Sequence, residues 1–375
     1  MPDIRIPADL LPADGRFGSG PSKVRPEAVE ALAAVSRSWL GTSHRQAPVK
    51  AVVASVRRGV HELLRLPDGY EVVLGNGGTT VFWDVATFGL IEARSQHLAF
   101  GEFSSKFAAG VVGAPHLEAP TVIESPPGTH PQARPEAGID LYALTHNETS
   151  TGVAMPLTRP AGVGPDEALV AVDATSGAGA IEFDATEVDV YYFAPQKVLA
   201  GDGGLWLAAC SPAALERIGR LRASGRWCPP SLDLGIALDN SRLDQTYNTP
   251  ALATMFLLDE QLRWLNGQGG LEWSAQRCHR SAGIVYGWAE ASSYATPFVA
   301  DPAQRSPVVA TIDLDAGAVD AATLSRVLRA NGIVDTEAYR KLGRNQVRIG
   351  MFPAVEPDDL ATLCACIDHV VEALA

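Results

Sequence analysis

One segment of the chain reads Asp189-Val190-Tyr191-Tyr192-Phe193-Ala194-Pro195-Gln196-Lys197, and the glycine-rich run Ala200-Gly201-Asp202-Gly203-Gly204-Leu205-Trp206 follows shortly after it. The apolar and aromatic residues of the first run predict a buried strand that leads to a single lysine. Packing alone seldom places a lysine there, because removing its ammonium group from water is costly. A lysine with a lowered pKa at such a place is what Schiff-base chemistry requires. The alternative is a lysine whose ammonium group reaches water from the strand end.

Seven short apolar runs recur along the first two thirds of the chain, with helical segments between them. They cover 71–74, 97–100, 121–123, 141–145, 168–172, 188–193 and 205–209. Most are continuous rather than alternating, which is typical of strands buried on both faces by helices. The pattern predicts an α/β fold with a mainly parallel seven-stranded sheet, whose ligands bind beyond the carboxyl ends of the strands.

A second, smaller unit is predicted after a long helix at 250–267. A strand at 308–314, a helix at 322–330, a strand at 346–351 and a last helix after Pro357 indicate a C-terminal α+β domain. Cys364 belongs to the apolar stripe of that last helix, whereas Cys366 lies off it. We therefore expect a large domain at 17–262 and a small domain formed by 1–16 and 263–375.

Composition narrows the classes of partner and compartment. The 375 residues carry a formal net charge of −13, which argues against a general nucleic-acid or anionic-membrane binder but leaves room for a small anionic substrate. The first residues lack an apolar signal core, and no run reaches membrane-spanning length. The cysteines are scattered at positions 210, 228, 278, 364 and 366. They suggest reduced thiols in a cytoplasmic protein, with no disulfide and no metal site expected.

An aspartate, like the lysine, lies at the end of a predicted buried strand. The run at 168–172 ends in Asp173, 24 residues before Lys197, which leaves room for a crossover to the next strand. A carboxylate for a pyridine nitrogen and a lysine for an aldehyde carbon are the minimal apparatus for pyridoxal phosphate (PLP). A buried ion pair with a purely structural role is the alternative.

Three further segments could complete a cofactor site. Gly77-Gly78-Thr79 follows a strand and begins a helix, which is typical of a phosphate cradle, although glycine turns of this kind are also common structural features. Phe103 follows the strand at 97–100 and could stack on a planar ring, or it could be an ordinary core residue. The segment 146–152, after the strand at 141–145, offers polar groups for the phenolic oxygen of the cofactor, although Asn and Thr residues also cap turns at such places.

Basic residues that could bind an anionic substrate come from both ends of the chain. His44 and Arg45 lie together in a polar turn, and the segment 339–348 contains four positive charges in ten residues. Arg348 falls within a strand pattern, so a rigid, bidentate contact with a carboxylate is expected there. A solvated basic surface is the alternative for this cluster.

Together these motifs resemble the phosphoserine aminotransferases, a class V, fold-type I family of PLP enzymes. The resemblance spans nearly the whole chain and includes Phe17-Gly18-Ser19-Gly20-Pro21, Gly41-Thr42-Ser43-His44-Arg45, Gly77-Gly78, His146-Asn147-Glu148-Thr149, Asp173, Ala194-Pro195-Gln196-Lys197, Gln245-Thr246-Tyr247-Asn248-Thr249-Pro250 and Arg348. The chain departs from many members in having Phe103 where they stack a tryptophan, and Tyr339-Arg340 where they show His-Arg.

The resemblance implies a role for each matching residue. Lys197 would form the Schiff base and Asp173 would hold the pyridine nitrogen. The other cofactor contacts would come from Gly77, Gly78, Thr79, Gln196, Phe103 and Thr149, and from Asn248 and Thr249 of a neighbouring subunit in a homodimer. The substrate contacts would come from Arg348 at the α-carboxylate and from His44, Arg45 and either Arg340 or Arg344 at the distal anion, with Ser19 nearby.

The implied reaction is transamination between L-glutamate and 3-phosphohydroxypyruvate, giving 2-oxoglutarate and O-phospho-L-serine in serine biosynthesis. The family can also act on 4-phosphohydroxythreonine in pyridoxine synthesis. Other interpretations are a serine– or alanine–glyoxylate transaminase, which would not need so many cations, and a cysteine desulfurase, which needs a cysteine in an active-site loop. The intact pair of Lys197 and Asp173, with no DNA-binding segment attached, disfavours a non-catalytic PLP-binding regulator.

Overall fold

A computed structural model describes residues 4–374 of the chain. The strands are β1 (Glu71–Asn76), β2 (Ser95–Ala99), β3 (Thr121–Glu124), β4 (Leu141–Thr145), β5 (Asn147–Glu148), β6 (Val153–Ala154), β7 (Leu169–Asp173), β8 (Val190–Phe193), β9 (Leu205–Cys210), β10 (Ala295–Pro297), β11 (Val309–Leu314) and β12 (Gln346–Gly350). The helices are α1 (Pro26–Trp39), α2 (Ala47–Leu63), α3 (Thr79–Gly89), α4 (Glu102–Val112), α5 (Pro212–Ala223), α6 (Leu234–Arg242), α7 (Leu252–Gln268), α8 (Gly270–Ala291), α9 (Ala321–Ala330) and α10 (Pro357–Leu374). Short 3₁₀ helices lie at Ala8–Leu10, Ala185–Glu187, Pro302–Gln304 and Arg340–Leu342.

The seven apolar runs of the sequence are the seven strands of one sheet, in the order β1-β9-β8-β7-β4-β2-β3. Strand β9 is antiparallel to both of its neighbours, and the other pairings are parallel, so the predicted α/β fold is confirmed. Helices cover both faces of this sheet, which is why its central strands are continuous apolar runs rather than alternating ones.

The parallel topology brings the predicted site residues to one edge. Because β1 and β8 are both antiparallel to β9, they run in the same direction, and β7 is parallel to β8. The carboxyl ends of β1, β7 and β8 therefore meet at one edge of the sheet. Gly77 follows the first of these strands, Asp173 ends the second, and Lys197 follows the third.

A second, three-stranded antiparallel sheet has the order β10-β11-β12 and packs with helices α8, α9 and α10. Its core also includes Ile6 and Phe17 from the start of the chain. The division into 17–262 and the combination of 1–16 with 263–375 stays a prediction, and residues 1–3 and 375 of the second unit lie outside the described residues. Among residues 4–374, no helix combines the length and the apolar character needed to cross a membrane.

Two features differ from the sequence-based expectations. The sequence patterns predict no element at 271–291, where the structure has helix α8. This helix follows α7 after a turn at Gly269, whose φ of +126° favours glycine. Cys366 lies off the apolar stripe of α10 but is nevertheless buried. The N-terminal segment covers that side of the helix, and the Cys366 thiol contacts the Leu10 carbonyl at 3.0 Å.

Candidate active site

A cavity of about 430 Å³ opens at the carboxyl edge of the large sheet. Its volume is in the range of sites that enclose a small organic ligand. Seven of the predicted site residues line it: Gly78, Thr79, Phe103, Thr149, Asp173, Gln196 and Lys197. Strands and helices from distant parts of the sequence thus place the predicted cofactor groups around one space.

The Lys197 side chain lies beneath the N-terminal segment of the chain. Its amine donates a hydrogen bond to the Ser19 carbonyl at 2.6 Å. A Cβ atom on Gly20 would lie 1.8 Å from the amine nitrogen, and the φ of Gly20 is +142°. Glycine is therefore required at position 20 for the chain to pass over the lysine.

Burial changes the acid–base character of this lysine. Desolvation lowers the pKa of Lys197 to about 7, and the nearby positive charge of Arg348 acts in the same direction. The carboxylates of Asp173 and Glu148 oppose the shift. At pH 7 roughly half of the amines are then neutral, against about 1 in 3,000 for an ordinary lysine, so the group can act as a nucleophile or proton carrier near neutrality.

Asp173 lies at the base of the cavity and accepts hydrogen bonds from two residues. The Thr175 hydroxyl and backbone N–H donate to one carboxylate oxygen at 2.6 and 3.0 Å, and the Trp83 indole donates to the other at 3.1 Å. Burial raises the pKa of Asp173, whereas these hydrogen bonds act in the opposite direction. A cationic N–H group in the cavity would be a further partner that favours the carboxylate.

The glycine turn presents a helix N-terminus to the same cavity. Gly77 has a φ of +114°, and its N–H donates to the Gly204 carbonyl at 3.0 Å. Helix α3 begins at Thr79, whose hydroxyl contacts that of Thr175 at 2.7 Å. The N–H groups in the first turn of a helix have no intrahelical acceptor and attract anions, so this end of the cavity suits a phosphate.

The remaining walls combine an aromatic ring with unsatisfied polar atoms. Phe103 lies in the first turn of α4, and the Thr149 hydroxyl donates to Ser176 at 2.8 Å. Among residues 4–374, the buried side-chain oxygens of Gln196 and Asn147 have no hydrogen-bond partner. The chemistry of this set fits PLP: an amine for the aldehyde, a carboxylate for the ring nitrogen, an aromatic wall and a phosphate cradle.

Arg348, on strand β12 of the small sheet, lies behind Thr149, which forms part of the cavity wall. It donates to the Thr149 carbonyl at 3.2 Å, and its guanidinium carbon lies 5.3 Å from the centre of the Tyr339 ring. Its buried Nε has no hydrogen-bond partner within residues 4–374. Desolvation lowers the pKa of Arg348. An arginine anchored on one nitrogen and unsatisfied on another can receive a carboxylate.

The two other candidate arginines of the C-terminal segment lie in surroundings different from those of Arg348. Arg344 forms a short ion pair with Asp313, with contacts of 2.5 to 3.1 Å, and its guanidinium lies over the Phe298 ring. The structure therefore does not bring a free Arg344 to the cavity. Arg340 is exposed in a 3₁₀ helix beside Tyr339.

The remaining predicted residues meet on an outer surface next to the glycine turn. The His44 ring contacts the Thr249 hydroxyl at 3.3 Å, and Arg45 donates to the Gln245 side chain at 2.7 Å. The Thr249 carbonyl accepts a hydrogen bond from Asn76, immediately before the turn. Asn248 and Thr249 are exposed. The structure thus pairs the segments 41–45 and 245–249, but it does not include them in the cavity wall.

Several residues of the site have no role that the sequence patterns predict. Trp83 and Thr175 bind Asp173, Ser176 links Asn147 to Thr149, and Gly20 covers the lysine. The hydrogen bond from Thr175 to Asp173 could have been predicted from the sequence, since an aspartate often accepts a hydrogen bond from the residue two positions later. The contacts of Trp83 and Gly20 could not, because their partners are distant in sequence.

The cysteines lie outside this arrangement. None of them lines the cavity. Burial raises the pKa of Cys210, Cys278 and Cys364 to about 12 and that of Cys228 and Cys366 to about 11. Such thiols carry little thiolate at neutral pH, so they do not supply the reactive loop cysteine that a desulfurase needs.

Comparison with known proteins gives consistent results. The family model described as aminotransferase class-V matches residues 134–337. The phosphoserine aminotransferases of Rhodococcus jostii (strain RHA1) and Rhodococcus opacus (strain B4) are each 60% identical to this chain over 98% of both proteins. The crystal structure of a phosphoserine aminotransferase from Cytophaga hutchinsonii superposes with a TM-score of 0.85 at 23% identity, covering 95% of this chain and 99% of that one. A PLP-bound phosphoserine aminotransferase from Trichomonas vaginalis has a TM-score of 0.79 at 18% identity, covering 95% and 99%.

Proposed function

Because this chain belongs to the class-V aminotransferase family, we propose that it exchanges an amino group between L-glutamate and 3-phosphohydroxypyruvate, with PLP as cofactor. The products are 2-oxoglutarate and O-phospho-L-serine, which places the reaction in serine biosynthesis. The observation that carries the proposal is the buried Lys197 amine, which shares a cavity with Asp173 and a helix N-terminus. The full-length similarity to phosphoserine aminotransferases supports the choice of substrate.

When bound, PLP supplies an aldehyde for imine formation with amines and a ring that accepts electrons from the substrate α-carbon. Lys197 can take up a proton at its Nζ and return it, because its pKa of about 7 lies near the working pH. The Asp173 carboxylate would stabilise a positive charge on the ring nitrogen. The Phe103 ring and the Thr149 side chain, which line the same cavity, would help to hold the ring in place.

Arg348 binds the α-carboxylate common to both amino acids. Its Nη1 is anchored on Thr149, and its unpartnered Nε is available to an incoming carboxylate oxygen. His44 and Arg45, with Arg340, would bind the distal phosphate or γ-carboxylate. Arg344 is the weaker candidate because Asp313 already neutralises it.

The active enzyme is proposed to be a homodimer with shared sites. In a single chain, the Tyr247 side chain is 48% exposed and the adjacent Asn248 and Thr249 are also exposed. These polar residues lie beside the phosphate cradle rather than in the cavity wall. A second copy that packs on this surface would receive them at its own cofactor phosphate.

A cytoplasmic location is proposed from the cysteines. All five are free in the structure, and most of them are buried. Free thiols are typical of proteins in a reducing compartment.

Single-turnover absorbance on the purified, PLP-loaded protein tests the function. Rapid loss of the visible absorbance with O-phospho-L-serine and with L-glutamate, but slow loss with alanine and glycine, is the expected result. A protein that reacts faster with alanine would retain the cofactor assignment and contradict the substrate. A protein that takes up no PLP would contradict the whole proposal.

A further inference from the structure

Glu148 is a fully buried carboxylate beside the cavity. Its exposed fraction is 0%, and it accepts five hydrogen bonds: from the N–H groups of Phe103, Ser104 and Ser150 and from the hydroxyls of Ser104 and Ser150. These distances lie between 2.7 and 3.1 Å. A buried carboxylate needs such donors, and the donors are left unsatisfied if it is removed.

One oxygen of Glu148 holds the start of helix α4. It accepts from the N–H groups of Phe103 and Ser104, where the free N–H groups of the helix favour a negative charge. A Cβ atom on Gly101 would lie 2.3 Å from the Glu148 side chain, so only glycine lets the carboxylate approach this closely. The position of the Phe103 ring against the cavity therefore depends on Glu148.

The other oxygen of Glu148 holds the segment that follows it in the chain, Thr149 and Ser150. It accepts from the N–H and hydroxyl of Ser150, and that hydroxyl in turn accepts from the Glu102 N–H at 3.0 Å. Glu148 is also the chain neighbour of Thr149, whose carbonyl anchors Arg348. The same carboxylate thus fixes the segment that carries the arginine anchor.

We propose that Glu148 is a positioning residue that holds both the Phe103 ring against the cofactor and the Thr149 carbonyl beneath Arg348. The inference rests on the proposed function in taking PLP as the occupant of the cavity and Arg348 as the group that binds the substrate carboxylate. It predicts that loss of this one carboxylate changes cofactor binding and carboxylate binding together, although Glu148 itself does not line the cavity.

The test compares Glu148→Gln with a matched control, Asp140→Asn. Asp140 also accepts hydrogen bonds from three successive backbone N–H groups, at Glu92, Ala93 and Arg94, but lies outside the cavity. In Glu148→Gln, the new side-chain amide turns a donor toward groups that are themselves donors. We expect the PLP Kd of the apoprotein to rise about tenfold or more, the visible circular dichroism of bound PLP to change, and the KM for L-glutamate to rise about tenfold. Asp140→Asn should lower the Tm without these effects.

A double-mutant cycle shows whether Glu148 acts through Phe103. If it does, adding Glu148→Gln to Phe103→Leu weakens PLP binding by less than it does in the wild type. Ser150→Ala is a milder change that removes one hydrogen-bond donor to Glu148. It should shift the PLP Kd, the circular dichroism and the KM for L-glutamate in the same direction, and it replaces Glu148→Gln in the test if that variant does not fold. Wild-type PLP affinity and circular dichroism in Glu148→Gln, or equal losses in Asp140→Asn, would overturn the proposal. PLP affinity is measured without substrate, so a wrong substrate assignment would not affect this result.

Discussion

The residues proposed to react with the cofactor are buried in the structure, whereas those proposed to bind the distal anion or to reach a neighbouring subunit lie at the surface. Lys197 and Asp173 are held at strand ends, out of water, with their hydrogen bonds made within one chain. His44, Arg45 and Thr249 lie on surface segments that contact one another but not the cavity. On the proposed function, one chain therefore holds the reacting lysine and aspartate, whereas the distal-anion groups and the Asn248 and Thr249 contacts to the cofactor phosphate act only once a second copy packs on this surface.

The largest effect is expected from loss of the buried amine of Lys197. Lys197→Ala removes the amine that is proposed to attach to the cofactor and to carry the proton, so kcat should fall by at least about 10⁴-fold. Steady-state turnover of O-phospho-L-serine measures the loss. Lys50→Ala, on helix α2 away from the cavity, is the control and should keep kcat within about twofold. Turnover close to the wild-type value in Lys197→Ala would mean that the strand-end lysine is not the reacting group.

The pKa of Lys197 gives a second, smaller effect. Burial favours the neutral amine, so the protonated fraction falls as the pH rises through about 7 rather than through the usual value near 10.5. The rate at which the apoprotein captures PLP should rise about 50-fold from pH 5 to pH 7 and then level off, because only the neutral amine attacks an aldehyde. Stopped-flow absorbance at constant ionic strength measures this rate. A rate that still climbs steeply between pH 8 and pH 10 would indicate an ordinary, solvated lysine.

Residues at strand ends could be predicted from the sequence, whereas contacts between distant parts of the chain could not. The strands carry local signals, since continuous apolar runs end in Asp173 or lead into Lys197, and parallel topology then brings those ends together. The pairing of Arg344 with Asp313 joins residues 31 positions apart, and the passage of Gly20 over Lys197 joins more distant ones. Neither contact leaves a periodic pattern. The choice among the basic residues of 339–348 therefore needed the structure.

The smallest effect is expected for the surface residue Arg45, and it tests whether Arg45 serves the cavity of its own chain or that of a partner. Arg45→Gln should raise the KM for O-phospho-L-serine about tenfold with little change in kcat. Arg344→Gln, which loses mainly its pair with Asp313, should change this KM less than about twofold.

Dimers re-formed from equal amounts of Arg45→Gln and Lys197→Ala chains then show whether Arg45 acts in its own cavity or in that of its partner. If Arg45 serves the partner's cavity, each mixed dimer has one site with both Lys197 and Arg45 intact. About a quarter of the sites then regain the wild-type KM. If Arg45 serves its own cavity, no site has both residues, and the mixture keeps the raised KM of the Arg45→Gln variant.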